Sequence, residues 1–122
     1  MPSHIAVAIL MCVSVCEPET LRIWDGDSFL IGRHSGAEKI RIENIDTPEI
    51  DGHCRYERQL ALEAKHRVAE LVKHQKIQIV RSGRDKYGRT LARVLANGKD
   101  IGRQLVADGL ARPWSGKRRP WC

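Results

Sequence analysis

The hydrophobic period of this chain changes three times, and that constrains its fold more than any other feature. Leu21-Arg22-Ile23-Trp24 alternates apolar and polar residues, Ser28 to Ile31 returns after Asp25-Gly26-Asp27, and Ile40-Arg41-Ile42-Glu43 alternates again. A period of two marks half-buried strands, and Asp-Gly marks a tight turn between them. From Arg55 to about His74 the period lengthens: Leu60, Ala64, Val68, Leu71 and Val72 recur at steps of three and four, with Tyr56 and Ala61 beside them. That spacing predicts an amphipathic helix of about five turns. Short apolar segments then return at Ile77 to Val80 and Leu91 to Leu95, separated by a polar stretch, Arg81 to Gly88, and closed by Asn97-Gly98. Ile101 to Leu110 reads as a short helix ended at Gly109. The expected fold is mainly β with helices (α+β): a five-stranded OB-type barrel, a long helix between strands 3 and 4, and a short C-terminal helix.

A length of 122 residues gives room for one domain. Residues 1–18 read as an N-terminal extension, 19–112 as the barrel and 113–122 as an irregular basic tail packed on it. Ile5 to Val13 is a continuous apolar run, too short to cross a bilayer, so no stable membrane insertion is expected. The run has the length of an export-signal core, which would make the protein secreted or periplasmic. Against that, Met1 to His4 carries no Lys or Arg and Val15 is not small; a buried strand in a cytoplasmic chain is the other reading. Cys12, Cys16, Cys54 and Cys122 contain no zinc-type spacing. In an oxidising compartment Cys54 and Cys122 could form a disulfide that pins the tail.

Charge is distributed unevenly. Residues 1–50 have a formal balance of −4 and residues 51–122 one of +10. An acidic and a strongly basic half in one small domain point to a polyanion partner, with a cation among the carboxylates. The carboxylates lie in turns: Asp25 and Asp27 in one, Asp46-Thr47-Pro48-Glu49 in a second, and Asp85-Lys86-Tyr87-Gly88-Arg89 in a third. Each motif alone is ordinary turn chemistry. Arg41 near a strand end and Arg89 at a strand start could reach the same place in a barrel. Carboxylates for a hard cation, arginines for phosphate oxygens and a further carboxylate for water would make a phosphodiester site.

The order and spacing of Asp25-Gly26-Asp27-Ser28, Arg41-Ile42, Ile45-Asp46-Thr47-Pro48-Glu49, Asp85-Lys86-Tyr87-Gly88-Arg89 and Asp108-Gly109-Leu110-Ala111 resemble the staphylococcal nuclease, or thermonuclease-like, family. The resemblance covers about residues 19–112. It implies a calcium-dependent nuclease that cuts DNA and RNA to leave 3′-phosphate and 5′-hydroxyl ends. It implies Ca2+ held by the carboxylates of Asp27 and Asp46 and the main-chain oxygen of Thr47, with Asp25 just behind. Glu49 would act on the attacking water, and Arg41 and Arg89 would hold the scissile phosphate. Ser28 stands where the family usually has Thr, and Pro113-Trp114 where the secreted bacterial prototype has tyrosines. Lys86, Tyr87, Trp114, Lys117, Arg118 and Arg119 are weaker candidates for substrate contact, through backbone phosphates or stacking on bases. A non-catalytic OB-type nucleic-acid-binding module is the alternative, but a degraded site should lack some of Asp27, Arg41, Asp46, Glu49 and Arg89, and all are present. No dimer interface is legible, and a monomer is expected.

Overall fold

Alternation along the strands explains the core of the computed structural model, which describes residues 4–122. β1 (Ile5–Cys12) sends Val7 and Ile9 inward, and β2 (Cys16–Asp25) sends Leu21 and Ile23. β3 (Ser28–Ile31) contributes Phe29, and β4 (Glu38–Ile42) contributes Ile40 and Ile42. β5 (Ile45–Asp46) follows directly. α1 (Arg55–Val72) comes next, then β6 (Lys76–Arg84) and β7 (Thr90–Ala96), which bury Ile77 and Val94. β8 (Lys99–Asp100) leads into α2 (Ile101–Ala107), and β9 (Arg112–Pro113) ends the regular structure.

The sheet runs β4-β3-β2-β1-β6-β7 and closes through a β4–β7 pairing, so the barrel has six strands. Neighbours pair antiparallel except β1–β6 and β4–β7, which are parallel. The Asn97-Gly98 turn has φ 50° and 81°, the left-handed pair that suits a two-residue hairpin. α1 lies on β1 and β2, with Ala61, Ala64, Val68 and Val72 facing the barrel. Its small alanines permit close approach, and Gly26 needs that: a Cβ there would stand 3.0 Å from Ala64 Cβ and 3.1 Å from Thr47 Cγ2. Asp100 caps α2 by accepting from the Arg103 amide at 3.2 Å.

The expected OB-type barrel is present with six strands instead of five, and the helix between its third and fourth expected strands and the short C-terminal helix are present. Two features differ from the sequence reading. First, the 1–18 segment is not an appendage. Its residues 1–3 lie outside the described residues, but Ile5–Cys12 is a strand between β2 and β6. The domain therefore begins before residue 19, because Val7 and Ile9 are part of the core. Second, β6 continues to Arg84, through the stretch read as a polar loop. Gly83, at φ 146°, sits at a register irregularity that lets the strand bend and continue.

Cys12 and Cys16 are disulfide-bonded across the β1–β2 turn, and Cys54 is bonded to Cys122. The tail is anchored at its start by antiparallel pairing of β9 with β5 (Asp46↔Arg112), and Trp121 is buried near its end. Among the described residues no helix is long and apolar enough to cross a membrane.

Removal of residues 1–15, with Cys16→Ser, deletes β1 and the burial of Val7 and Ile9. The expected loss is about 3–6 kcal/mol, at roughly 1.5–3 kcal/mol for each buried aliphatic side chain. Guanidinium denaturation of both chains measures it, and a truncated chain with the parent's midpoint would mean that the barrel closes without β1.

Candidate active site

The β2–β3 turn places Asp25 and Asp27 at one end of the barrel, both buried. Asp25 organises the turn: its Oδ1 accepts from the Asp27 amide at 3.2 Å and from Ser28 Oγ at 2.7 Å. The hydroxyl at position 28 is thus used, with Ser in place of the usual Thr. The Ile42 amide donates to Asp27 O at 2.8 Å and ties the end of β4 to the same turn. Arg41, paired opposite Ser28, brings Nη1 to 3.4 Å from Asp27 Oδ2. Its guanidinium also donates to Ile42 O at 2.5 Å and Ile45 O at 3.2 Å, which orients it along the β4–β5 bend.

β5 carries Asp46 into this end of the barrel, followed by Thr47, which is fully buried with Oγ1 unpartnered. Asp85 builds the third turn. Its Oδ1 accepts from the amides of Tyr87 at 2.9 Å and Arg89 at 3.0 Å, while Oδ2 takes Arg89 Nε at 2.7 Å. Slight burial opposes ionisation of Asp85, but the donors of Arg89 and Tyr87 outweigh it and hold the carboxyl below its ordinary range. Asp85 is therefore the residue that aims Arg89. Lys86 Nζ and the Arg89 guanidinium lie 5.3 and 5.6 Å from the Tyr87 ring.

These groups share one cleft of about 670 Å³, lined by Asp25, Asp27, Arg41, Asp46, Glu49, Lys86, Tyr87, Arg89, Trp114 and Arg118 among others. Trp114 is half-exposed there, with its amide donating to Asn44 O at 2.8 Å. Lys117 and Arg119 are exposed and do not line the cleft. Arg118 differs from the expected phosphate contact: its guanidinium faces carboxylates instead. Nη1 meets Asp46 Oδ1 at 2.9 Å and Glu49 Oε1 at 3.2 Å, and Nη2 meets Glu57 Oε2 at 2.9 Å. The Cys54–Cys122 bond lies behind these contacts, with Cys54 at the N-cap of α1.

Two contributors are absent from the site predicted by sequence. Glu57, in the first turn of α1, is 3% exposed and accepts from the Glu49 amide at 2.9 Å. It reads in the sequence as one more polar residue of an amphipathic helix. Gly52 leaves room for it: a Cβ there would come within 2.5 Å of the Glu57 carboxyl carbon. Trp121 is the second: it donates from Nε1 to Asp46 Oδ2 at 3.3 Å.

Electrostatics identify what the cluster lacks. Burial, then repulsion from Asp25, pushes the Asp27 carboxyl well above its ordinary range, and Arg41 only partly counters this. Glu49 is raised by burial and by Asp25, with Arg118 pulling the other way. Among the described residues no three His, Cys, Asp or Glu side chains form a ready metal cage. The donor set nonetheless suits a hard cation: Asp27 and Asp46 supply buried carboxylate oxygens in one cleft, and Asp27 is short of positive charge. Two carboxylates and a main-chain oxygen would leave coordination positions for water and phosphate oxygens.

Asp27→Asn is expected to raise the Tm of the metal-free protein by about 3 °C or more near pH 7. The sign follows from linkage: a carboxyl whose folded pKa is raised favours the folded state below its unfolded pKa and loses that contribution as pH rises through the folded value. The amide removes the loss, so its advantage should vanish in acid, where Asp27 is protonated in both states. Thermal melts from pH 3 to 8 in chelator measure this, and a lower Tm for Asn at neutral pH would contradict it.

Comparison with known proteins agrees with this geometry. The family described as staphylococcal nuclease homologue matches residues 39–120. The SPbeta prophage-derived endonuclease YokF of Bacillus subtilis (strain 168) is 35% identical over 94 residues, covering 75% of this chain and 32% of that protein. Endonuclease YncB of the same organism is 34% identical, with 75% and 44% covered. Micrococcal nuclease of Shigella flexneri is 32% identical over 97 residues, with 75% and 52% covered. The chain thus spans from a third to about half the length of these relatives. By fold, by the clustering of its turn residues and by sequence, this chain belongs to the staphylococcal nuclease homologue family.

Proposed function

We propose that this chain is a calcium-dependent endonuclease that hydrolyses phosphodiester bonds of DNA, with RNA a second substrate class, and leaves 3′-phosphate and 5′-hydroxyl ends. The observation that carries this reading is the meeting of Asp27, Arg41, Asp46, Glu49 and Arg89 in one cleft. Relatives named endonucleases and nucleases support it.

In this reading Asp27, Asp46 and the main-chain oxygen of Thr47 hold Ca2+, and Asp25 fixes the turn that carries Asp27. Bound calcium would offset the carboxylate charge and polarise the phosphodiester. Arg41 and Arg89 grip the non-bridging oxygens, whose charge grows during attack. Both are held by contacts independent of substrate, Arg41 by the carbonyls of Ile42 and Ile45 and Arg89 by Asp85, so little reorganisation is needed. Glu49, raised above its ordinary range, accepts a proton from the attacking water. The new bond joins water oxygen to phosphorus and the P–O5′ bond breaks. The 5′ oxygen leaves and takes a proton from solvent water, and the phosphate stays on the 3′ side. Lys86, Tyr87 and the half-exposed Trp114 flank the cleft and would hold the strand without sequence selection.

We also propose that the protein works as a monomer in an oxidising compartment, secreted or periplasmic. Both disulfides support that placement, since cytosolic thiols are kept reduced. Intact mass before and after reduction, on protein from its native host, should show no alkylatable thiol until reductant is added. Four reactive thiols at the outset would overturn the placement.

Digestion of single-stranded and duplex DNA and of RNA, with end-group analysis, tests the activity. Glu49→Gln and Arg89→Ala should each lower kcat by about a hundredfold or more with the fold intact. Activity within tenfold of the parent, or full hydrolysis after exhaustive chelation, would overturn the mechanism.

A further inference from the structure

We propose that Arg118 is a positioning residue of the phosphodiester site: a guanidinium delivered by the disulfide-held tail that fixes the carboxylates of Asp46 and Glu49. The inference rests on the function proposed above and adds to it a residue and the covalent device that supplies it.

The contacts are specific. One nitrogen of Arg118 serves Asp46 Oδ1 and Glu49 Oε1, and the other serves Glu57 Oε2. Three carboxylates from β5, the following loop and the first turn of α1 thus converge on one planar fork. Asp46 and Glu57 are buried, with side chains 7% and 4% exposed, and Arg118 gives each of them a donor within hydrogen-bond distance. Arg118 also contacts the residue proposed to hold calcium and the residue proposed to accept the proton from water. Its remaining face lines the cleft.

The tail is built to present this group. At its start, β9 pairs with β5, and Arg112 stacks 3.7 Å over the Trp121 ring while donating to Pro120 O at 3.0 Å. Trp121 itself donates to Asp46, and the next residue is bonded to Cys54. Cys54 is the N-cap of α1, three positions before Glu57. The disulfide therefore fixes the tail beside one of the three carboxylates that Arg118 bridges. Nothing else covalent holds a segment that has no regular structure after Pro113. An ammonium at this position would keep the charge and lose the fork that spans the carboxylates.

The test compares four full-length chains: the oxidised parent, Arg118→Ala, Arg118→Lys and Cys54→Ser/Cys122→Ser. Calcium affinity is measured by calorimetry without substrate, and kcat and KM on a short oligonucleotide. Arg118→Ala should bind calcium about threefold tighter or more, because a positive charge has left the site. Its kcat should fall about tenfold with KM little changed, because Glu49 and Asp46 lose their orientation. A merely structural lesion would weaken binding and turnover together. Arg118→Lys should keep calcium affinity within about twofold while kcat falls about threefold or more. The disulfide-free chain should match Arg118→Ala, and adding Arg118→Ala to it should change kcat by less than about twofold.

If Arg118→Ala does not fold, Arg118→Lys decides: a parent-like kcat overturns the proposal. Parent-like calcium affinity and kcat in Arg118→Ala overturn it, as do disulfide and Arg118 effects that multiply. A parent chain inactive on every nucleic acid with calcium overturns the nuclease reading and this inference with it. An active parent beside an unaffected Arg118→Ala overturns this inference alone.

Discussion

Carboxylates crowded at one end of the barrel govern the surrounding structure. Asp25, Asp27 and Asp46 are buried there and Glu49 stands beside them, and burial together with carboxylate repulsion pushes Asp27 and Glu49 above their ordinary range. Such a cluster persists only where cations and hydrogen-bond donors are aimed at it. Arg41 faces Asp27, Arg118 faces Asp46 and Glu49, and the indole of Trp121 takes the remaining oxygen of Asp46. The raised Asp27 carboxyl marks where this compensation stops short, and a hard cation fits there.

Barrel closure makes that crowding obligatory. The Asp27 turn follows β2, Arg41 sits on β4 and Asp46 on β5, while the β4–β7 pairing brings Arg89 round from the far side of the sequence. A flat sheet of the same strands would leave Arg89 remote from Arg41. The closure in turn depends on β1, whose pairing to both β2 and β6 joins the early hairpins to the strands that follow the helix. Site and barrel are therefore coupled: loss of a strand far from the chemistry would separate the two arginines.

The tail completes the wall of the cleft that β5 begins. Short pairing of β9 with β5, the Arg112–Trp121 stack and the Cys54–Cys122 bond hold it in place. Each contact alone is modest. Together they order a segment rich in basic residues that would otherwise be solvated, and they turn Arg118 inward while Lys117 and Arg119 remain in solvent.

Period and turn chemistry made the strands, the two helices and most cleft residues legible, because alternation, helical spacing and Asp-Gly turns are local properties. Asp25, Asp27, Arg41, Asp46, Glu49 and Arg89 stood out as charged groups at turns and strand ends, where packing does not require them. The apolar run at Ile5 remained ambiguous because a short hydrophobic segment suits an export core and a buried strand equally; its neighbours in the sheet decide. The outer part of β6 gave no signal, since Arg81 to Arg84 are all exposed and nothing there alternates. Glu57 and the inward turn of Arg118 were invisible because their partners lie far along the chain, 61 residues apart in one case. The sequence by itself determined which segments fold as strand or helix and which chemistry they carry. Only the tertiary structure decided which charges meet, because those contacts depend on barrel closure and a disulfide rather than on neighbouring residues.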